Sequence, residues 1–435
     1  MTLNSKLGVV LALLAAASMW FYVQHIVIGH QLVEAKAYDI PRGNLSDLYP
    51  RWLGTRELLL HHSDPYSAEI TREIQVGYYG RAIDASRRND PKDQQRFAYP
   101  LYVVFLLAPT VKLPFSGVQL AFFWLLFGTT VGTIFLWRNF FGWRASCAAT
   151  TTIALLTLGS FQVLQGLKLQ QLTLLVAGLI AAAVALIAED RLIAAGFFLA
   201  LATIKPQLVL ILTAWLVLWA IGDWVRRRNL LLAFALVLTL LVGGAEFLMP
   251  GWIGEFRSAI SDYRQYNDGA LSVLQILISP VWGTIAAALA ILATAGLCWR
   301  LRRVPASSVA FGWITSLVLA VTILVIPKTS PYNHILLLPG IMLSAQHWRT
   351  AWEKNAAARM TLLAACFIVF WPWVAAFGVV LISLFAPLAS TGNAWIAPLY
   401  TSLAVPFAVC AVLAFNLREL AVSNSQTKPA LTSRS

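Results

Sequence analysis

Asp47 lies in Ser46-Asp47-Leu48-Tyr49-Pro50-Arg51-Trp52, a carboxylate among aromatic rings just beyond the first apolar run. Partial burial of such a group raises its pKa and a nearby cation lowers it, which is the tuning a general base needs. The alternative is that Asp47 caps a short helix expected from Pro50 to His62. Lys205, in Thr203-Ile204-Lys205-Pro206-Gln207, sits between two apolar runs. An ammonium there either faces a cavity, with a phosphate as its natural partner, or snorkels to the headgroups. Gln165, Lys168, Gln170 and Gln171 form a polar knot, able to bind sugar hydroxyls or phosphate, or to be an ordinary loop. His334 closes Pro327-Lys328-Thr329-Ser330-Pro331-Tyr332-Asn333-His334 at the start of an apolar run. Its imidazole can hydrogen-bond a sugar or phosphate, shuttle a proton, or rest satisfied at the interface.

His61-His62 and the stretch from Arg81 to Arg96 read as solvated surface, and neither has metal-ligand spacing. No phosphate-cradling glycine loop, nucleotide fingerprint or serine elbow occurs. Any group transfer would therefore draw on a lipid-linked donor reached from the membrane, and no cofactor or metal is expected.

The elements that must hold these residues are membrane helices. Of 435 residues, 59% are hydrophobic and 12% charged, against about a quarter charged in soluble domains. The expected fold is an all-α integral membrane bundle. The net charge of +13 gathers in short breaks such as Arg226-Arg227-Arg228 and Arg300 to Arg303, the pattern of cytoplasmic loops facing anionic lipid. No nucleic-acid recognition module is visible, so no nucleic-acid partner is expected. Cys147, Cys298, Cys366 and Cys410 are isolated and read as small core hydrophobes.

The run Leu7–Ile28 is too long for a signal-peptide core and reads as a retained span. Walking from both ends predicts about twelve crossings, with Ala98–Val111 embedded or re-entrant because it is short and holds Pro100 and Pro109. Both termini then lie in the cytoplasm. The first extracytoplasmic loop, 29–97, is expected to carry two short interfacial helices. The second starts with Asp64 as N-cap and Pro65 at its first position, and runs to about Tyr79. Residues 1–417 form the membrane domain and 418–435 a disordered cytoplasmic tail.

Several of these residues recur in a familiar order: Asp47-Leu-Tyr, Ser63-Asp64-Pro65-Tyr66, Phe97-Ala-Tyr99-Pro100-Leu, a later Leu113-Pro114, the knot Gln165 to Gln171, Ile204-Lys205-Pro206 and Ser330-Pro331-Tyr332-Asn333-His334. From about Lys6 to Gly340 the chain resembles glycosyltransferase family 87, the polyprenol-phosphate-mannose-dependent mannosyltransferases of the GT-C fold. The resemblance implies inverting transfer of a hexose from a polyprenyl-phosphate-linked donor to a lipid or glycan acceptor, on the periplasmic or outer face of the inner (plasma) membrane. It implies Asp47 as the base, with Lys205 and His334 stabilising the departing phosphate. Tyr49, Asp64, Tyr99, Lys168, Gln170 and Gln171 are the further expected substrate contacts. The sequence departs from many members at Tyr99-Pro100-Leu101, which lacks a second proline. Two other readings stay open: a secondary transporter, and a GT-C polymerase or ligase of surface polysaccharide.

Overall fold

The computed structural model describes residues 3–37, 40, 46–84, 86–87, 90–266, 271–327, 330–386 and 393–426, and among them there is no strand. Apolar chain in a bilayer has no water to bond its amides, so the backbone satisfies itself as helix. In chain order the main helices are α1 (Ser5–Ala37), α2 (Tyr49–His61), α3 (Ala68–Tyr79), α4 (Phe115–Phe140), α5 (Cys147–Leu158), α6 (Phe161–Lys168), α7 (Leu172–Ala188) and α8 (Leu192–Ala202). They continue with α9 (Pro206–Ile221), α10 (Trp224–Leu248), α11 (Trp252–Tyr266), α12 (Pro280–Leu301), α13 (Val309–Val325), α14 (Leu338–Gln346), α15 (Ala356–Phe385) and α16 (Val405–Gln426).

The chain is a polytopic membrane protein, but twelve full-length spans are not what the described residues contain. Six helices are long and apolar enough to cross, or seven if α5 and α6, bent by 55°, form one broken span. Four shorter apolar helices, α7, α8, α9 and α13, complete the bundle. The 11 residues of α8 reach only about 16 Å, half of a hydrocarbon core of roughly 30 Å. The stretch Ala98–Val111 contributes only Val103–Leu107 and the 3-10 turn Ala108–Thr110, too short to cross.

Three other expectations shift. Ser67, not Asp64, caps α3: its side chain accepts from the Ile70 N–H, while Asp64 Oδ1 accepts from the Tyr66 N–H in the preceding turn. Both α2 and α3 pack into the bundle core through Trp52, Leu53, Ile70 and Ile74 rather than through surface apolar faces alone. The chain is also helical to Gln426 where a disordered tail was expected from 418, because Leu417-Arg-Glu-Leu-Ala-Val continues a run of residues tolerant of helix. The last residues of that tail, with Lys328 and Thr329 of the His334 motif, lie outside the described residues.

Burial sorts the helices. On α13 every residue from Phe311 to Leu324 is buried, as expected of a helix apolar all round at the centre of a bundle. By contrast α10 and α12 expose Leu236, Leu240, Phe247, Trp282 and Leu289, the apolar face a lipid would cover. α8 lies so close to α10 that a Cβ on Gly196 would stand 2.4 Å from the Leu230 carbonyl oxygen; only glycine fits there. α9 runs between two cations. Lys205 precedes its first turn and Arg227 follows its last, so its 16 residues separate them by about 24 Å.

Candidate active site

The site is built where four segments meet: the loop before α2, the turn between α6 and α7, the start of α9 and the turn Pro331–Leu337. α6 ends at Leu169, and Gln170 then takes a left-handed conformation with φ +47°. That turn offers the Leu169 carbonyl to the loop that precedes α2. The Asp47 N–H donates to it at 3.0 Å and Ser46 Oγ at 3.1 Å. Ser46 Oγ accepts from the Leu48 N–H at 3.2 Å, and Arg51 Nη1 donates to the Asp47 carbonyl at 2.7 Å. The backbone of Asp47 is thus fixed before its carboxylate is considered.

That carboxylate does not cap α2. Leu48 is the N-cap of α2 and makes no side-chain cap bond. Asp47 Oδ2 instead accepts a short hydrogen bond from Gln171 Nε2. Gln171 Oε1 accepts from Lys205 Nζ at 2.6 Å, and Lys205 Nζ also donates to Thr173 Oγ1 at 2.7 Å. Thr173 Oγ1 donates to Asn333 Oδ1 at 3.0 Å. A single polar chain therefore joins the loop before α2, the start of α7, the start of α9 and the 3-10 turn Pro331–Leu337.

Aromatic faces enclose the cations. The Arg51 guanidinium lies 4.5 Å from the centre of the Tyr99 ring; Lys205 Nζ lies 5.7 Å from Tyr99 and 5.3 Å from Tyr332. Tyr99 is held in place by its carbonyl, which accepts from Tyr66 Oη at 2.7 Å. Asp47 is half-buried as a residue, and protein atoms pack densely around its carboxyl. That burial raises its pKa above the ordinary carboxylate value, and Arg51, the Gln171 hydrogen bond and Lys205 pull it partly back. Such an environment favours proton uptake without giving up the charged form.

The residues expected from sequence divide in three. Asp47, Gln171, Lys205 and Tyr99 converge. Lys168 stands nearby, bonded to Gln31 Oε1 at 3.0 Å and within electrostatic reach of Asp47. Gln170 turns its amide to the Leu167 and Lys168 carbonyls at 2.8 Å each, which holds the loop. Tyr49 packs on Trp52 and Phe115, and Asp64 shapes the turn that presents Tyr66.

His334 points elsewhere. It is 4% exposed, neither ring nitrogen has a hydrogen-bond partner, and it lines a cavity of about 130 Å³ with Ser160, Gln162, Ile341 and Trp373. Burial lowers its imidazole to about 4. No bond joins it to the Asp47 chain, although its neighbour Asn333 is part of it. Sequence reasoning did not assign roles to Arg51, Thr173, Tyr332 and Asn333. Arg51, Tyr332 and Asn333 stand in quoted motifs; Thr173 carried no signal, being one hydroxyl in an apolar helix. Among the described residues no three His, Cys, Asp or Glu side chains cluster as a metal site.

The profile described as Glycosyltransferase family 87 matches residues 97–327, more than half of the chain. The chain belongs to glycosyltransferase family 87. As a member it is a membrane glycosyltransferase, acting on a sugar donor and an acceptor. The matched range contains Tyr99, Lys168, Gln170, Gln171 and Lys205, whereas Tyr49, Asp47, Asp64 and His334 fall outside it. No curated protein and no solved structure matches the chain.

Proposed function

We propose that this enzyme moves a hexose, mannose by the family resemblance, from a polyprenyl-phosphate-linked donor to a hydroxyl of a lipid or glycan acceptor, with inversion, at the extracytoplasmic face of the plasma membrane. The observation that carries the reading is that one carboxylate, that of Asp47, and one ammonium, that of Lys205, share a single amide beside the rings of Tyr99 and Tyr332. In the proposed step the acceptor hydroxyl attacks the anomeric carbon, Asp47 takes its proton, and the lipid phosphate leaves from the opposite side. Lys205 and Arg51 stabilise the phosphate charge. The basic clusters Arg226–Arg228 and Arg300–Arg303 lie at the far end of α9 from Lys205, which by the positive-inside rule supports an extracytoplasmic Asp47.

The test is incubation of the purified protein with labelled polyprenyl-phosphate sugars and a membrane lipid extract. Asp47→Asn keeps an acceptor oxygen for Gln171 but removes the base, so transfer should fall by about 10²–10⁴-fold in a protein that still folds. Transfer at the wild-type rate overturns the assignment. A product carrying one added hexose excludes ligation of a preassembled glycan, and solute uptake into liposomes without any lipid-linked sugar would favour a transporter.

A further inference from the structure

Gln171 is 3% exposed and stands at the N-cap of α7, its own N–H bonded to the Gly166 carbonyl at 2.8 Å. Its amide faces opposite charges. Nε2 donates to Asp47 and Oε1 accepts from Lys205 at 2.6 Å. The reverse orientation would set an NH2 group against an ammonium and a carbonyl against a carboxylate, so these two partners fix the amide. Both of its polar ends are thus engaged by protein groups. Lys205 spends one of its three N–H donors on Gln171 and a second on Thr173. One remains, directed among Tyr99 and Tyr332, for a phosphate oxygen.

We propose that Gln171 is a positioning residue that ties Asp47 to Lys205, so that one ammonium balances the base before transfer and the departing phosphate after it. The inference rests on the proposed function and gives Gln171 a role other than substrate contact. Before attack the site holds a carboxylate, an ammonium and the donor phosphodiester monoanion. The acceptor oxygen bonds the anomeric carbon as the bond from that carbon to the phosphate oxygen breaks. The electron pair of the broken bond stays on the phosphate, now a monoester dianion, and the hydroxyl proton passes to Asp47. One negative charge has moved from the carboxyl to the phosphate, and Lys205, tied to the carboxyl through Gln171, keeps its third donor for the phosphate. A polarised amide carries the influence of the ammonium to the carboxyl without a direct ion pair that would block the acceptor.

The pH dependence of transfer reads this coupling. The groups facing Asp47 are Arg51 from α2, Tyr78 from α3, Asp93 from the loop that follows, Lys168 from the end of α6, Lys205 before α9 and Tyr332 from the 3-10 turn, with Tyr99 beside Arg51 and Tyr332. With purified full-length protein and a labelled polyprenyl-phosphate hexose, the acid limb of kcat/KM should move up by about one pH unit in Gln171→Met. The donor KM should change by less than about threefold. Gln171→Glu, which preserves shape but places a second carboxylate beside Asp47, should move the limb further up. Lys205→Met should move it the same way, and the Gln171→Met/Lys205→Met double variant no further than the larger single effect.

An unmoved limb in Gln171→Met or Gln171→Glu overturns the proposal, as does additivity in the double variant. A donor KM raised tenfold with an unmoved limb makes Gln171 a substrate contact. If Gln171→Met fails to fold, Gln171→Glu and Lys205→Met carry the same test. Wild-type transfer by Asp47→Asn would sink the base assignment itself; an inactive Asp47→Asn beside an unmoved limb in the Gln171 variants sinks the coupling alone.

Discussion

Arg226, Arg227 and Arg228 are adjacent and chemically identical, yet replacing the middle one should be far more damaging. The Arg226 side chain is 86% exposed and only 4.0 Å from its nearest carboxylate, Asp223. Arg227 is 8% exposed. Its Nη1 donates to the carbonyls of Trp219 at 2.7 Å and Arg302 at 3.0 Å, its Nη2 to that of Val304 at 3.1 Å, and its guanidinium lies 3.9 Å over the Trp219 ring. One side chain thereby ties the end of α9 and the start of α10 to the loop between α12 and α13. Charge-assisted bonds contribute about 1.5–3 kcal/mol each, so three give roughly 4–9. Desolvating the guanidinium and freezing its rotamers offset several of these. Arg227→Met, which keeps the apolar stem, should therefore cost about 3 kcal/mol net. At the low end of roughly 2–4 °C per kcal/mol, the apparent melting temperature falls by about 6 °C. Tryptophan fluorescence during heating of the detergent-solubilised protein measures this, with 17 tryptophans as reporters. Arg226→Met should melt within about 1 °C of wild type. The donor KM should be unaffected in both, since Arg227 lies a helix length from Lys205. Equal melting of Arg227→Met and wild type, or equal loss in both variants, refutes the reasoning.

Tyr99 works through its ring face and its carbonyl, so Tyr99→Phe should hold kcat/KM within about twofold, whereas Tyr99→Ala should lose about tenfold or more; equal damage in both would contradict the cation–ring role. At Gly77 an added Cβ would stand 1.8 Å from Tyr49 Oη, so Gly77→Ala must displace the Tyr49 ring and lower the apparent melting temperature by several degrees, from about 1–3 kcal/mol of overpacking. The Arg96–Asp262 pair is partly exposed, at 27% and 37%, and Asp262→Asn should change stability by under about 1 kcal/mol; a larger shift on thermal unfolding would show a role beyond surface pairing.

Membrane character was legible because, outside the long loop 29–97, charge is scarce except in short basic breaks. The number of full spans was not, because apolarity alone does not separate a helix that crosses lipid from one buried in protein. The 17-residue α13 has the composition of a span but is buried among other helices from Phe311 to Leu324, and the equally apolar α8 has only 11 residues. The polar chain was half legible. Asp47, Gln171 and Lys205 stood out because polar groups beside apolar runs are expensive. Thr173 did not, since a hydroxyl is cheap anywhere in a helix. The direction of His334 could not come from sequence either: Asn333 and His334 are adjacent, and a 3-10 turn sends one toward Lys205 and the other into a separate cavity.

If Asp47 is a base held in place by its neighbours, it should also be a liability for the fold. Burial is the largest influence on its carboxyl and raises its pKa in the native state. The unfolded chain leaves the same carboxyl near its ordinary value of about 3.9. Between those two pKa values the native state binds more protons than the unfolded state, so this group makes stability fall as pH rises. The deficit is complete above the native pKa and vanishes below the unfolded one, the reverse of a salt-bridged aspartate. Asp47→Asn removes the charge and keeps an oxygen for Gln171, so at neutral pH it should melt no lower than wild type, and by a small margin higher, while transfer is lost. Its advantage over wild type should shrink as the pH is lowered toward about 4. A variant that is inactive because it is markedly less stable would mean that the carboxylate supports the structure, and that Arg51 and the relay to Lys205 outweigh the burial penalty. A variant both inactive and at least as stable is the signature of a charge kept for chemistry against the preference of the fold.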